Sequence, residues 1–355
     1  MVFLNQIKGL VLPIIALFAA LFGTVAANAE GEAGIISLRG QGHFYVGGET
    51  YEVAGNPMAG PFGAPGLAMK NQMYVGYQLA ADRQHPYPLI LVHGGGGQAS
   101  DWFSTPDDRD GWRDYFLAAG FDVYWIDRPG YGRSPTSADY GELGTNTSSG
   151  LIKFLATADN WPGDLNDIND QSILNWLASS PPGPYAGNDI AAEGLSLLLD
   201  RIGPSIIITH SAGGPTGWLA ADDNPDNVAG IIAIEAAGSN MLADDMRPSM
   251  SFSPALPANF SGVEGADGCM MQAQGSTSQL SSLAGKPVAM VGSQQGLTQA
   301  LGMQCATNIL AQAGVDASFV YLPDLGLVGN GHFMMAETNS GEIVEVIIDL
   351  AIEME

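Results

Sequence analysis

The chain has 355 residues, of which 46% are apolar, so it can bury one large α/β core. Its 37 acidic residues against 12 basic ones give a net charge of −25, which repels nucleic acid and anionic membrane surfaces. Composition therefore excludes a basic nucleic-acid-binding protein and a disordered chain, and it leaves the reaction open.

Residues 1–29 are predicted to be a secretory signal peptide. Lys8 is their only charged residue, an apolar run covers residues 9–25, and an Ala-Asn-Ala sequence ending at Ala29 fits a cleavage site. A membrane anchor is the alternative, although the run is slightly short for a bilayer span. We expect the mature chain, residues 30–355, to have a net charge of −26 and to be secreted or periplasmic, with no stable membrane association.

Residues 30–70 are rich in glycine with alternating apolar positions, which is typical of an antiparallel hairpin or of edge strands. After them, buried strands alternate with amphipathic helices. The predicted strands are MYVGYQLA (73–80), PLILVHGGGG (88–97), FDVYWIDRPGYGRSP (121–135), IIITH (206–210), VAGIIAIEAAG (228–238), PVAMVGS (287–293) and ASFVYLPD (317–324). The predicted helices are GWRDYFLAAG (111–120), NDIAAEGLSLLLDRIG (188–203, with Asn188 as N-cap), one from about Ala212, one containing Cys305 and one from about Glu337 to the end.

Two stretches interrupt this alternation. Residues 136–187 are rich in Ser, Thr, Asn, Asp, Gly and Pro around a short helical segment, and residues 239–284 form the second stretch. The pattern predicts a single α/β domain with a mostly parallel sheet, helices on both faces and two lid-like excursions.

The chain contains two cysteines, Cys269 and Cys305. In an exported protein this number favours one disulfide bond. A metal site is disfavoured because no histidine lies near either cysteine.

Ser211 stands in the sequence THSAGG, directly after an apolar strand. A serine hydroxyl becomes nucleophilic when a base takes its proton, and a tight strand-to-helix turn would expose it at a helix N-terminus. Such a turn requires small neighbours, and Ala212, Gly213 and Gly214 meet that requirement. Thr209 departs from the usual G-x-S-x-G pattern, and an ordinary strand-turn-helix is the alternative.

The sequence HGGGG (93–97) follows an upstream strand and is a candidate second half of an oxyanion hole. Glycines let the backbone approach a substrate closely, and we assign the donors to the N–H groups of Gly95 and Ala212. A glycine-rich loop can also hold phosphate, but the Lys-Ser/Thr of a nucleotide-binding loop is missing here. His93 is interpreted as a structural hydrogen-bonding residue.

His332 is the predicted general base among the five histidines, because it follows the last strand. A buried histidine with a structural role is the alternative. His43 lies in the N-terminal hairpin and His85 precedes a strand, so neither is well placed. His210 adjoins Ser211 and should point away from it, as neighbours on a strand do.

Glu235 is the predicted acid of the triad. No Asp or Glu occurs between Lys286 and Val315, where the acid would usually follow a strand. A carboxylate at the end of an apolar strand is costly unless it is paired, and pairing with His332 would resolve that cost. A solvated strand-end glutamate is the alternative, and Asp316 should lie too far away to replace it.

The order Ser211, Glu235, His332 is that of α/β-hydrolases. HGGGG, the segment DWFSTPDDRDGWRDYFLAAGFDVYWIDRPGYGRSP, LLDRIGPSIIITHSAGG and GNGHFMM together resemble a family of secreted bacterial carboxylesterases within that superfamily. The resemblance implies an α/β-hydrolase fold, with the acid as a Glu after the sixth strand. It also implies a nucleophilic Ser211, a Glu235 that orients His332, and Ala212 as half of the oxyanion hole. Other members can have cysteines after the first glycine of HGGGG, so the rigidity of this loop is in question.

The sequence thus predicts a serine carboxylesterase that acts on small-molecule esters through an acyl-enzyme, with no metal and no organic cofactor. Lactone hydrolysis, perhydrolysis and carbon–carbon cleavage on the same triad are the alternatives, as is a non-catalytic binding protein. Dehalogenase and epoxide hydrolase activities are disfavoured because they need an aspartate at Ser211. A homodimer stays open.

Overall fold

The structure is a computed structural model that describes residues 33–155, 157–265, 267–298 and 300–355. The predicted signal peptide lies outside these ranges. No helix within them combines the length and apolar character that a bilayer span requires.

An eight-stranded sheet forms the centre of the molecule. Its strands in chain order are β1 (Leu38–Val53), β2 (Gly66–Ala80), β3 (Leu89–Val92), β4 (Val123–Asp127), β5 (Ser205–His210), β6 (Val228–Ile234), β7 (Pro287–Gly292) and β8 (Asp316–Tyr321). They lie side by side in the order β1-β2-β4-β3-β5-β6-β7-β8. β2 is antiparallel to both β1 and β4, and all other neighbours are parallel. The prediction of a mostly parallel sheet is confirmed.

Seven α-helices occur in the described ranges: α1 (Trp112–Ala118), α2 (Ser148–Leu155), α3 (Gln171–Ser179), α4 (Asn188–Ile202), α5 (Gly214–Asp223), α6 (Ala300–Gln312) and α7 (Ser340–Glu353). Alternate strand residues enter two separate cores, since successive side chains of a strand point to opposite faces. Leu89 and Leu91 join the core that α1 and α7 cover. Ile90 and Val92 join the core under α4, α5 and α6.

The helices differ from the predictions in several places. Gly187, in an extended conformation, is the N-cap of α4, and no side chain caps this end, so Asn188 is the first helical residue. A 3-10 turn over Ser211–Gly213 precedes α5, which begins at Gly214 instead of Ala212. α2 was not predicted, although the Thr147 hydroxyl accepts the Gly150 N–H at 3.2 Å, which is a helix-capping contact.

The two excursions differ in structure. Residues 136–187 contain α2 and α3, whereas residues 239–284 contain two pairs of two-residue strands. Cys269 of the second excursion is bonded to Cys305 of α6, with an S–S distance of 2.04 Å. This bond ties the second excursion to the helix that follows β7.

Candidate active site

Ser211 lies at the carboxyl end of β5, in the sharp turn that leads into α5. Its φ is +51°, a left-handed conformation that is uncommon for a residue with a side chain. The turn is crowded: a Cβ on Gly213 would lie 2.6 Å from the His93 carbonyl oxygen, and one on Gly214 would lie 2.2 Å from that of Ala237. Only glycine fits at these two positions, as the predicted tight turn requires.

Thr209 replaces the first glycine of the usual pattern, and the structure shows how the chain accommodates it. A Cβ on Gly217 of α5 would lie 2.4 Å from Thr209 Cγ2. Gly217 on the facing helix therefore leaves the space for the Thr209 side chain, and β5 and α5 still approach closely.

The glycine-rich loop after β3 lies against the Ser211 turn. A Cβ on Gly94 would lie 3.1 Å from Ser211 Cβ, and one on Gly95 would lie 3.2 Å from Ala212 Cβ. The structure therefore brings Gly95 and Ala212, the two residues assigned to the oxyanion hole, next to each other beside the serine.

His93 uses both ring nitrogens in the structure. Its Nε2 accepts the Arg128 backbone N–H at 3.1 Å, so its Nδ1 donates to the Gly94 carbonyl at 2.8 Å. Burial lowers the pKa of His93 to about 3, which keeps the ring neutral. These contacts agree with the structural role predicted for His93.

His332 and Glu235 form a buried pair. His332 Nδ1 lies 2.7 Å from Glu235 Oε2, and the two residues are 3% and 2% exposed. With a carboxylate as its partner, Nδ1 carries the proton and Nε2 is left as an acceptor. Nε2 is buried and makes no hydrogen bond with any residue in the described ranges.

Glu235 follows β6 with a φ of +41°, and the loop after β7 surrounds its carboxylate. Oε1 accepts from the Ser293 N–H at 3.0 Å and from its hydroxyl at 2.5 Å, while Oε2 accepts from the Leu297 N–H at 3.1 Å. A Cβ on Gly296 would lie 1.7 Å from Oε1, so this loop can wrap the carboxylate only with glycine there. Four donors, with that of His332, satisfy the ionised acid.

His210, which the sequence predicts to point away from Ser211, contacts the loop that carries His332. Its Nε2 donates to the His332 backbone carbonyl at 2.9 Å, and the two rings lie 4.6 Å apart. Burial lowers the pKa of His210 well below its ordinary value, so the ring is neutral. His210 thus holds the backbone of the candidate base.

Glu337, which the sequence suggested only as the start of the last helix, supports the same loop. It is fully buried, and its carboxylate accepts from Asn330 Nδ2 at 2.6 Å and from the Gly331 N–H at 2.8 Å. Burial raises the pKa of Glu337 to about 7. A carboxylate within the apolar segment FMMAE was the signal that could have identified it.

Residues 87–266 match the family model of the alpha/beta hydrolase fold. The chain belongs to the α/β-hydrolase family. A relative named "Probable secreted lipase phiG", from Fungal sp. (strain ATCC 74256), is 30% identical over 330 residues, which are 83% of this chain and 90% of the relative. "The Atomic Resolution Structure of a Novel Bacterial Esterase" shares this hydrolase fold with a TM-score of 0.70 at 22% identity, covering 90% of this chain and 97% of that one.

The first excursion of this α/β-hydrolase contacts loops on two sides of the site. Asn146 Nδ2 donates to the Gly96 carbonyl at 3.4 Å, and the Thr157 hydroxyl donates to that of Gln295 at 2.9 Å. Between them, the half-exposed Phe154 ring lies 6.1 Å from the His332 ring. The excursion therefore places a half-exposed aromatic ring beside His332.

The other residues weighed from the sequence lie elsewhere. Asp316 is exposed at the first position of β8 and pairs with Pro287, the first residue of β7. It therefore lies at the amino ends of these strands, away from the carboxyl ends that carry the site. His43 stacks on Tyr74 of the hairpin, and the His85 ring contacts Phe121. Within the described ranges, no cluster of three His, Cys, Asp or Glu side chains could hold a metal ion.

Proposed function

We propose that this α/β-hydrolase is a serine carboxylesterase with a Ser211–His332–Glu235 triad. The observation that supports this most is the buried pair of His332 and Glu235, 2.7 Å apart, on the loops next to the Ser211 turn. A relative of this chain is named a secreted lipase, which favours an ester substrate. All triad members are present, which disfavours a non-catalytic binding protein.

In the proposed reaction, His332 Nε2 takes the proton of the Ser211 hydroxyl while Oγ attacks the ester carbonyl. The Glu235 carboxylate stabilises the imidazolium through Nδ1–H, and the N–H groups of Gly95 and Ala212 bind the oxyanion. His332 then gives the proton to the leaving alcohol. In the second half of the reaction, His332 takes a proton from water while the water oxygen attacks the acyl carbonyl, and it then gives the proton to the Ser211 oxygen as the acid leaves. Neither half uses a metal or an organic cofactor.

We also infer that the protein is exported after cleavage behind Ala29. The predicted signal peptide, the bond between Cys269 and Cys305, and the secreted relative all favour an oxidising compartment. The strong negative charge disfavours nucleic acid as a partner.

Hydrolysis of p-nitrophenyl butyrate by the wild type and by Ser211→Ala tests this function. We expect the variant to keep its thermal unfolding temperature and to lose at least about four orders of magnitude in kcat. A fluorophosphonate should add one adduct mass to the wild type and none to the variant.

Substantial turnover by Ser211→Ala, or a label on another residue, would refute the nucleophile. A screen of acyl and alcohol sizes, with lactones, a perhydrolysis assay and a carbon–carbon hydrolase substrate included, separates the activities that share this triad. A wild type that binds esters without turnover would be a binding protein.

A further inference from the structure

Arg128 is a buried arginine directly behind the candidate oxyanion hole. It follows β4 and is 5% exposed. Its Nη2 donates to the Gly94 carbonyl and its Nη1 to the Ala212 carbonyl, both at 2.9 Å, and its guanidinium lies over the Tyr131 ring at 4.4 Å. Within the described ranges it forms no ion pair with a carboxylate. Burial lowers the pKa of Arg128, because a buried guanidinium loses the hydration of its positive charge.

The contact with Gly94 fixes the direction of the Gly95 N–H. Both groups belong to one peptide unit, which is trans, since the cis bonds in the described ranges precede Pro184 and Pro254. In a planar trans peptide the C=O and N–H point in opposite directions. Because Arg128 holds the Gly94 oxygen on its own side of the peptide, the Gly95 N–H points away from the guanidinium.

A run of four glycines needs such a clamp. Glycine has little intrinsic preference among backbone conformations, so a peptide between Gly94 and Gly95 can rotate at low cost unless both of its sides are held. Two donors converge on the Gly94 oxygen, the His93 ring at 2.8 Å and Arg128 Nη2 at 2.9 Å. They supply the rigidity that the sequence of this loop leaves in question.

Arg128 also joins the two halves of the candidate oxyanion hole. One guanidinium binds the loop after β3 through Gly94 and the turn after β5 through Ala212, so one side chain bridges the two donor segments. Its positive charge lies in a dry environment, where it attracts a negative charge that develops nearby more strongly than in water.

We propose that Arg128 is a positioning residue for the oxyanion hole, which aligns the Gly95 N–H, fixes its distance to the Ala212 N–H and provides a buried positive charge behind both. The inference rests on the proposed esterase function. A residue with this role stabilises the transition state and leaves substrate binding unaffected.

The test compares Arg128→Met, which keeps the unbranched stem and removes the guanidinium, with Arg128→Lys, which keeps the charge and loses the planar two-nitrogen fork. Arg201→Met is the matched control, because Arg201 is exposed on α4 and stacks on Phe44. Each protein is assayed with p-nitrophenyl butyrate and with a trifluoromethyl ketone, which forms a tetrahedral oxyanion adduct with a nucleophilic serine.

For Arg128→Met we expect kcat/KM to fall about 10²–10³-fold, as on loss of one oxyanion donor, with KM nearly unchanged. The inhibition constant of the ketone should rise in parallel with the loss of kcat/KM. Arg128→Lys should lie between Arg128→Met and the wild type, and Arg201→Met should match the wild type. Thermal unfolding shows which variants are folded, and if Arg128→Met is unfolded, Arg128→Lys decides by the same two measurements.

An unchanged kcat/KM and ketone affinity in a folded Arg128 variant would overturn the inference. A change confined to KM would also overturn it, since Arg128 would then act on substrate binding. If the wild type neither hydrolyses esters nor is labelled at Ser211, the proposed function fails and the inference fails with it. An active wild type with unaffected Arg128 variants refutes the role of Arg128 alone.

Discussion

Replacing Glu235 by glutamine tests the assignment of the triad acid, because the change keeps the shape of the side chain and removes its charge. Oε1 accepts two hydrogen bonds from Ser293, and Oε2 accepts one from His332 Nδ1 and one from the Leu297 N–H. Both oxygens therefore face donors, and the NH₂ group of a glutamine opposes a donor in either orientation.

The two orientations predict different losses. If the NH₂ group takes the place of Oε2, it faces the Leu297 N–H, which is also a donor, and it donates to His332 Nδ1. Nδ1 must then accept this hydrogen bond, so the ring proton moves to Nε2 and His332 can no longer act as the base. The equivalent change in a serine protease lowers kcat about 10⁴-fold. If the NH₂ group takes the place of Oε1, it faces the Ser293 N–H, which is also a donor. The Ser293 hydroxyl can rotate and accept a hydrogen bond from the NH₂ group. The ring proton then stays on Nδ1, and the loss comes from the missing charge.

We therefore expect Glu235→Gln to lower kcat on p-nitrophenyl butyrate about 10²–10⁴-fold. Ser293→Ala keeps the charge and loses one hydrogen bond to a carboxylate, which is worth about 1.5–3 kcal/mol, so its kcat should fall by about 10–10²-fold at most. Asp316→Asn, at the amino end of β8 and away from the site, is the control and should match the wild type. A crippled Asp316→Asn together with an active Glu235→Gln would show that the acid is wrongly assigned.

Two further predictions concern packing and pH. Gly217→Ala should destabilise the protein by about 1–3 kcal/mol through the clash with Thr209 Cγ2. Thr209→Ser deletes that methyl group, so the double variant should regain most of the lost stability. Urea unfolding measures both effects, and additive losses in the double variant would contradict this prediction. Burial raises the pKa of Glu337 from 4.5 to about 7, so the folded protein binds this proton more tightly than the unfolded chain does. The contribution of Glu337 to the free energy of unfolding is therefore fully present below pH 4.5, and it is lost as the pH rises through 7. The total is about 3 kcal/mol at most. Glu337→Gln should flatten this part of the unfolding free energy between pH 5 and 8, and equal slopes in both proteins would refute the prediction.

Sequence patterns were sufficient for the parts of this protein that depend on local order. Strand period, turn residues and the order of Ser211, Glu235 and His332 are all properties of short segments, and they predicted the sheet and the candidate triad. Contacts between segments far apart in the chain could not be predicted in this way. Arg128 and Ala212 are 84 residues apart, and His210 and the His332 carbonyl are 122 apart. Nothing in the sequence around Arg128 distinguishes a buried clamp from a surface arginine.

The position of the acid after β6 has a structural explanation in the sheet itself. β6 and β7 are parallel neighbours, with Ile234 beside Val291, so their carboxyl ends present side chains to the same region. A carboxylate on either strand can therefore reach the same histidine, and the loop on the other strand must then supply donors. After β7 the chain provides these donors and places Gly296 where any side chain would collide with the carboxylate. The loop that would usually carry the acid thus encloses the Glu235 carboxylate instead, and Gly296 leaves the space that this requires.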